Sequence, residues 1–127
     1  MMLYRFNFWD TFLKKPKKDK IMKNLEVKEA KADNNYYIVR GDRSGVFFGN
    51  IKERNGKEVT MANVRRLWYW AGACSISQLA QEGTVSPSSC KFTVTVDEVL
   101  VLDAIEIDKC SKKAVKCIKE VAEWKKN

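Results

Sequence analysis

Histidine is missing from all 127 residues. Its absence removes Ser–His and Cys–His nucleophile pairs and the commonest metal-binding side chain. Cysteine is sparse: four residues, at 74, 90, 110 and 117, with no CxxC pair among them. A four-cysteine zinc site normally presents two closely spaced pairs, so no metal is expected. Reduced structural thiols are the expected state, with a Cys110–Cys117 disulfide as the alternative. Proline occurs twice and glycine six times, too little for a low-complexity chain. No apolar run approaches the roughly 20 residues of a membrane-spanning helix. The chain is therefore read as having no catalytic residue, no cofactor and no transmembrane segment.

What the chain does hold is ordinary core material, 45% hydrophobic and 11% aromatic, enough for one domain. The net charge is +8, and it is unevenly placed. Residues 1–22 carry six basic and two acidic side chains, residues 111–127 carry six and two, and residues 23–110 carry twelve of each. The basic excess belongs to the ends. A dedicated nucleic-acid binder would show a basic stripe within its fold, so nucleic acid is not the expected partner.

Residues 1–22 read as an N-terminal extension and residues 23–127 as a single domain with a basic C-terminal tail. Within the extension, Leu3, Phe6, Phe8, Trp9, Phe12 and Leu13 fit a helical face before the KKPKKDK linker. Three readings compete for it: packing on the domain or a second copy, disorder or an upstream start-site extension ahead of Met22, and membrane-surface binding. From Leu25 the pattern turns to strands. LEVKEAK alternates, Tyr36–Arg40 is a strand, GDRSG (41–45) a tight loop, and Val46–Arg54 the return strand, with Gly49 marking a bulge or a close backbone approach. Asn55-Gly56 is a hairpin signal. Lys57–Met61 pairs back, Ala62-Asn63 predicts a break, and Val64–Trp70 predicts a further strand. Alternation would put Arg66, Trp68 and Trp70 on one face and Arg65, Leu67 and Tyr69 on the other. Ser75 with Gln78 predicts a capped helix to Glu82, stopped by Gly83. Lys91–Val96 and Val99–Ile107 read as strands, the latter a central one, and Ser111 opens a second helix to Ile118. Val121 and Trp124 would cover the core edge. The expected fold class is α+β: a small, mostly antiparallel sheet, a meander or partly open barrel, with two short helices.

Two stretches concentrate contact chemistry. GDRSGVFFG is glycine-rich but lacks the GK[ST] of a phosphate loop and leads into a strand. It reads as a hairpin loop or, alternatively, as a binding loop. In the binding reading Arg40 and Arg43 grip an anion, and Gly41, Ser44 and Gly45 supply backbone and hydroxyl contacts. RRLWYWAGACS (65–75) joins Arg65 and Arg66 to Trp68, Tyr69 and Trp70, then to the helix start at Ser75. Arginine suits bidentate phosphate contact and aromatic faces suit nucleobases. Burial as an ordinary core strand is the competing expectation. The acids at 97, 98, 103, 106 and 108 read as solvated or ion-paired edge groups rather than a catalytic pair.

The segments YYIVRGDRSGVFFGNI (36–51), EVTMANVRRLWYWAGACSISQLAQEG (58–83) and VLDAIEI with the following helix (101–118) resemble a family of small bacteriophage and prophage proteins with no established activity. The resemblance implies a setting in the bacterial host cytoplasm. It also makes a non-enzymatic accessory role the expectation: a homo-oligomer binding a nucleotide-like anion, as a counter-defence sponge for a cyclic nucleotide or ADP-ribose-type signal. The alternative is a protein–protein interaction module, a host-factor inhibitor or a virion-associated subunit.

Overall fold

The structure is a computed structural model and describes residues 34–127. The predicted N-terminal extension and the LEVKEAK strand lie outside the described residues. Three strands form an antiparallel meander: β1 (Tyr37–Gly41), β2 (Val46–Asn55) and β3 (Glu58–Tyr69). Asn55-Gly56 closes the second hairpin, with Gly56 at φ 63°, as its sequence requires.

The break predicted at Ala62-Asn63 is instead a β-bulge inside one 12-residue strand. Phe48 pairs with Arg65 and Asn50 with Ala62, so β3 carries one extra residue there. Asn63 absorbs it at φ 54°. Gly49, opposite, is the close approach that its sequence position suggested. A Cβ on it would lie 2.8 Å from the Ala62 carbonyl oxygen and 3.1 Å from that of Asn63.

Both remaining edges are then filled. β4 (Lys91–Phe92) pairs with the C-terminal part of β3, and β5 (Val96–Val101) with its N-terminal part. β6 (Ala104–Lys109) pairs with β1 on the far edge of the sheet. Leu102 and Asp103 alone link β5 to β6, so the sheet has to curl until its two ends approach. The Ala104 amide closes the curl by donating to the Lys57 carbonyl at 3.0 Å. The run Val99–Ile107 is thus two edge strands with a sharp corner, where the sequence predicted one central strand. Lys91–Val96 is likewise divided between β4 and the start of β5.

Alternation sends neighbouring side chains to opposite faces. Val39, Phe47, Val59, Met61, Val64 and Val101 fill the inside of the curl. Ile38, Phe48, Leu67 and Phe92 face the other way, against Leu79 and Ala80 of α1 (Ile76–Glu82) and Ala114 and Ile118 of α2 (Lys112–Glu120). Each of the buried valine, isoleucine, leucine, methionine and phenylalanine side chains contributes about 1.5–3 kcal/mol. Both helices start where their capping residues predict. Ser75 Oγ accepts from the Gln78 amide at 3.2 Å, and Ser111 Oγ accepts from the Ala114 amide at 3.1 Å. The fold is α+β: an antiparallel six-stranded sheet with two short helices.

Candidate functional site: an exposed aromatic platform around Lys91

The glycine loop does not present its amides to solvent. Asp103, at the β5–β6 corner, takes them. The Arg43 and Ser44 amides donate to Asp103 Oδ2 at 2.9 and 3.2 Å, and Ser44 Oγ donates to Oδ1 at 2.5 Å. The Asp42 amide donates to the Asp103 carbonyl at 2.8 Å. Gly41 must lack a side chain because a Cβ would run into Ser44 Oγ. These donors hold the Asp103 carboxyl below the usual carboxylate range, Ser44 contributing most. The loop is an anion nest whose anion belongs to the chain itself. The ligand contacts expected from Gly41 and Ser44 are therefore already used within the fold.

The arginines separate into different roles. Arg65, expected to grip phosphate, is 4% exposed. Its guanidinium donates to the carbonyls of Thr93 (2.9 Å), Ile118 (2.7 Å), Phe92 (3.1 Å) and Ala122 (3.4 Å). Burial lowers its pKa, and the Glu123 charge partly opposes this. Arg66 is exposed, lies over the Phe47 ring at 4.5 Å and donates to the Ser44 carbonyl. Arg40 pairs with Glu106 at 3.8 Å. Arg43 is exposed at the loop. Ser75 is occupied as a cap, and the amide before it, on Cys74, donates to Gln78 Oε1 at 2.7 Å. Its helix has seven residues.

The aromatic residues hold the unexpected feature. Strict alternation would separate Trp68 from Tyr69. β3 and β4 instead pair Leu67 with Phe92 and Tyr69 with Lys91, so Trp68 is an extra residue in a second bulge. Trp68 and Tyr69 consequently both reach Lys91, whose Nζ lies 5.4 and 6.0 Å from their ring centres. The chain after α2 adds a third ring. The Trp124 amide donates to the Phe92 carbonyl at 2.9 Å, and Trp124 stacks on Trp68 with centroids 5.1 Å apart and planes at 29°. Lys91 Nζ is 5.5 Å from that ring as well. Trp68, Tyr69 and Trp124 are 59%, 49% and 45% exposed. Large aromatics so open to water are unusual in a fold that has room to bury Phe47, Phe48 and Phe92. Trp70 leaves this group and packs on the helix-side core.

Sequence reasoning missed Lys91 and placed Trp124 over the core edge. The available signal was a tryptophan directly before Lys125-Lys126, beyond the last buried residue, Val121. Nothing local announces Lys91. Arg66 turns away from this group, toward Phe47 and the Ser44 carbonyl, so Lys91 is the cation of the platform.

Other groups offer less chemistry. All four cysteines are free, and burial pushes the Cys110 thiol up to about 12, which makes it inert. Glu106 is raised by its hydrogen bond with Asp108 and by partial burial. Among the described residues no three His, Cys, Asp or Glu side chains group to hold a metal ion, and no helix is long and apolar enough to cross a membrane. A cleft of about 380 Å³ lies between Arg54–Lys57 and β6, and one of about 390 Å³ beside Pro87 and α2. Neither is lined by the platform.

No curated protein matches the chain. A family model described as a domain of unknown function, DUF6948, matches residues 34–118. The matched span begins just before β1 and contains Trp68, Tyr69 and Lys91 but ends short of Trp124. It covers two thirds of the sequence, and the chain accordingly belongs to the DUF6948 family.

Proposed function

We propose that this domain is a non-enzymatic binding module that takes a planar, anionic ligand of the nucleotide class on the Trp68–Tyr69–Trp124 platform. The observation that carries this reading is one lysine ammonium within 6.0 Å of three exposed aromatic rings. Each stacked base contributes about 1–3 kcal/mol on such a surface. Lys91 supplies the charge partner for phosphate. Because Lys91 already fills the cation position among the rings, the surface suits an anion rather than an ammonium ligand. In the phage setting that the sequence resembles, sequestering a cyclic nucleotide or ADP-ribose-type signal is the role such binding would serve. The platform is open, whereas small-ligand sites usually enclose most of the ligand. A second copy closing over the ligand would supply that enclosure, in keeping with the expected homo-oligomer.

The same openness favours a second reading, a protein–protein interaction module, since Trp, Tyr and Arg dominate interface hot spots. Thermal denaturation with a panel of mononucleotides, cyclic dinucleotides and ADP-ribose separates the two. A ligand at 100 times its Kd stabilises by about 2.7 kcal/mol, a rise of several degrees in Tm that Trp68→Ala abolishes. No shift with any member of the panel, together with a stable protein complex recovered from host extract and lost in Trp68→Ala, would transfer the platform to the second reading.

A further inference from the structure

We infer that Arg65 is a positioning residue for the platform, holding Trp124 in place from the opposite face of β3; the inference rests on the platform reading for its functional meaning. Arg65 touches none of the three rings. Its side chain points toward the helix-side core, where it lies 5.7 Å from the Phe92 ring centre. Its four acceptors come from two places. Phe92 and Thr93 belong to β4 and the residue after it, while Ile118 and Ala122 belong to the end of α2 and the chain beyond it. One guanidinium therefore ties the C-terminal segment to the sheet.

The placement has a clear physical logic. Ile118 is among the last four residues of α2, so no later helical amide satisfies its carbonyl in α-helical register. The Val121 amide approaches it at 3.3 Å, and Arg65 adds a cation at the negative end of the helix dipole. The chain turns out of the helix there, Val121 being extended at φ −63°, ψ 131°. It then lies alongside β4, with Glu123 bridging to Phe92 and the Trp124 amide bonded to the Phe92 carbonyl. A single residue, Glu123, separates the Ala122 anchor from Trp124. Without the guanidinium, Thr93, Phe92, Ile118 and Ala122 each lose a donor, and beyond the buried Val121 only the Phe92 strand edge is left to hold the Trp124 backbone.

The test compares Arg65→Lys and Arg65→Met with the full-length parent by two readouts that need no ligand. One is the exciton couplet of the Trp68–Trp124 stack in circular dichroism, with Trp124→Phe defining its absence. The other is amide hydrogen exchange, read separately at Trp124 and at the β2–β3 ladder. The inference expects Arg65→Lys, at a temperature where far-ultraviolet dichroism shows it folded, to lose at least half of the couplet. Trp124 protection should fall at least tenfold while Phe48 and Met61 keep theirs, and Arg65→Met should lose more. Protection falling equally at every amide in Arg65→Lys would overturn it, making Arg65 a core residue only. An unchanged couplet in a folded variant would overturn it as well. If Arg65→Met does not fold, the Arg65→Lys result decides alone. Failure of the parent to bind any nucleotide would count against the platform's function and leave these readouts untouched.

Discussion

At the scale of single residues, Asp103 shows how one carboxylate can settle the fate of a glycine loop. It accepts from three donors of residues 43 and 44 and so joins the β5–β6 corner to the β1–β2 turn. Asp103→Ala strands those donors and is expected to lower the denaturant midpoint. The acid limb carries its own signature. The folded carboxyl titrates below its unfolded value, so its contribution is complete above the unfolded pKa, near 3.9, and is lost as pH falls through the folded one. A stability–pH profile of Asp103→Asn should lack this component and fall less steeply below about pH 4. Glu106 has the opposite sign. Its raised pKa means that its contribution is greatest below the unfolded value and is lost as pH rises through the folded one. Glu106→Gln should therefore lose less stability than the parent as pH rises above the unfolded glutamate value, about 4.3, because the exposed Arg40 pair that it gives up is worth little.

Gly49 makes a second residue-scale prediction. An added Cβ meets backbone oxygens of Ala62 and Asn63, which cannot swing aside as a side chain would. Gly49→Ala should cost about 1–3 kcal/mol, measurable by urea unfolding. Gly56→Ala meets no atom within 4 Å, yet sits at φ 63°, so its cost comes from conformation alone, about 1–2 kcal/mol.

At the scale of elements, the features legible in the sequence were those with local causes. Asn55-Gly56 set a hairpin, Ser75 and Ser111 set helix starts, and Gly49 announced a close approach, each through atoms a few residues away. The features that escaped depend on distant partners. Asp103 finds its donors 59 and 60 positions earlier, and that contact, with the pairing of β5 to β3 and of β6 to β1, breaks the apolar run VLVLDAIEI into two strands. Arg65 finds two of its carbonyls 53 and 57 positions later, and no window around it signals burial. The bulge at Trp68 is of the same kind. Strand alternation is a sound rule, but one inserted residue brings two rings meant for opposite faces onto one lysine. Shifting that register is testable at the element scale. Deleting Trp68 removes the bulge residue and should restore plain pairing to Lys91, with the sheet retained by far-ultraviolet dichroism and the exciton couplet gone.

At the scale of the whole molecule, the chain keeps its basic excess at its ends and leaves a balanced domain between them. The domain spends its arginines on itself, Arg65 entirely and Arg66 in part, and leaves three aromatic rings in water. A core would have buried them, so their exposure is the strongest sign of a docking surface that the fold offers. Trp68→Ala and Trp124→Ala should each lose the stacked pair, about 0.5–1.5 kcal/mol, and the half of a ring that is buried, leaving the protein folded while removing the binding surface. This separation of stability from binding is what distinguishes a site from a packing residue. The most direct measurement is a tryptophan-fluorescence titration of the full-length protein and of Trp68→Ala with cyclic dinucleotides and ADP-ribose. The account predicts saturable quenching in the parent and a Kd raised about 5–150-fold in the variant, the loss of one base stack. Saturable binding with equal Kd in both proteins would contradict it, as would the absence of quenching by every nucleotide tested.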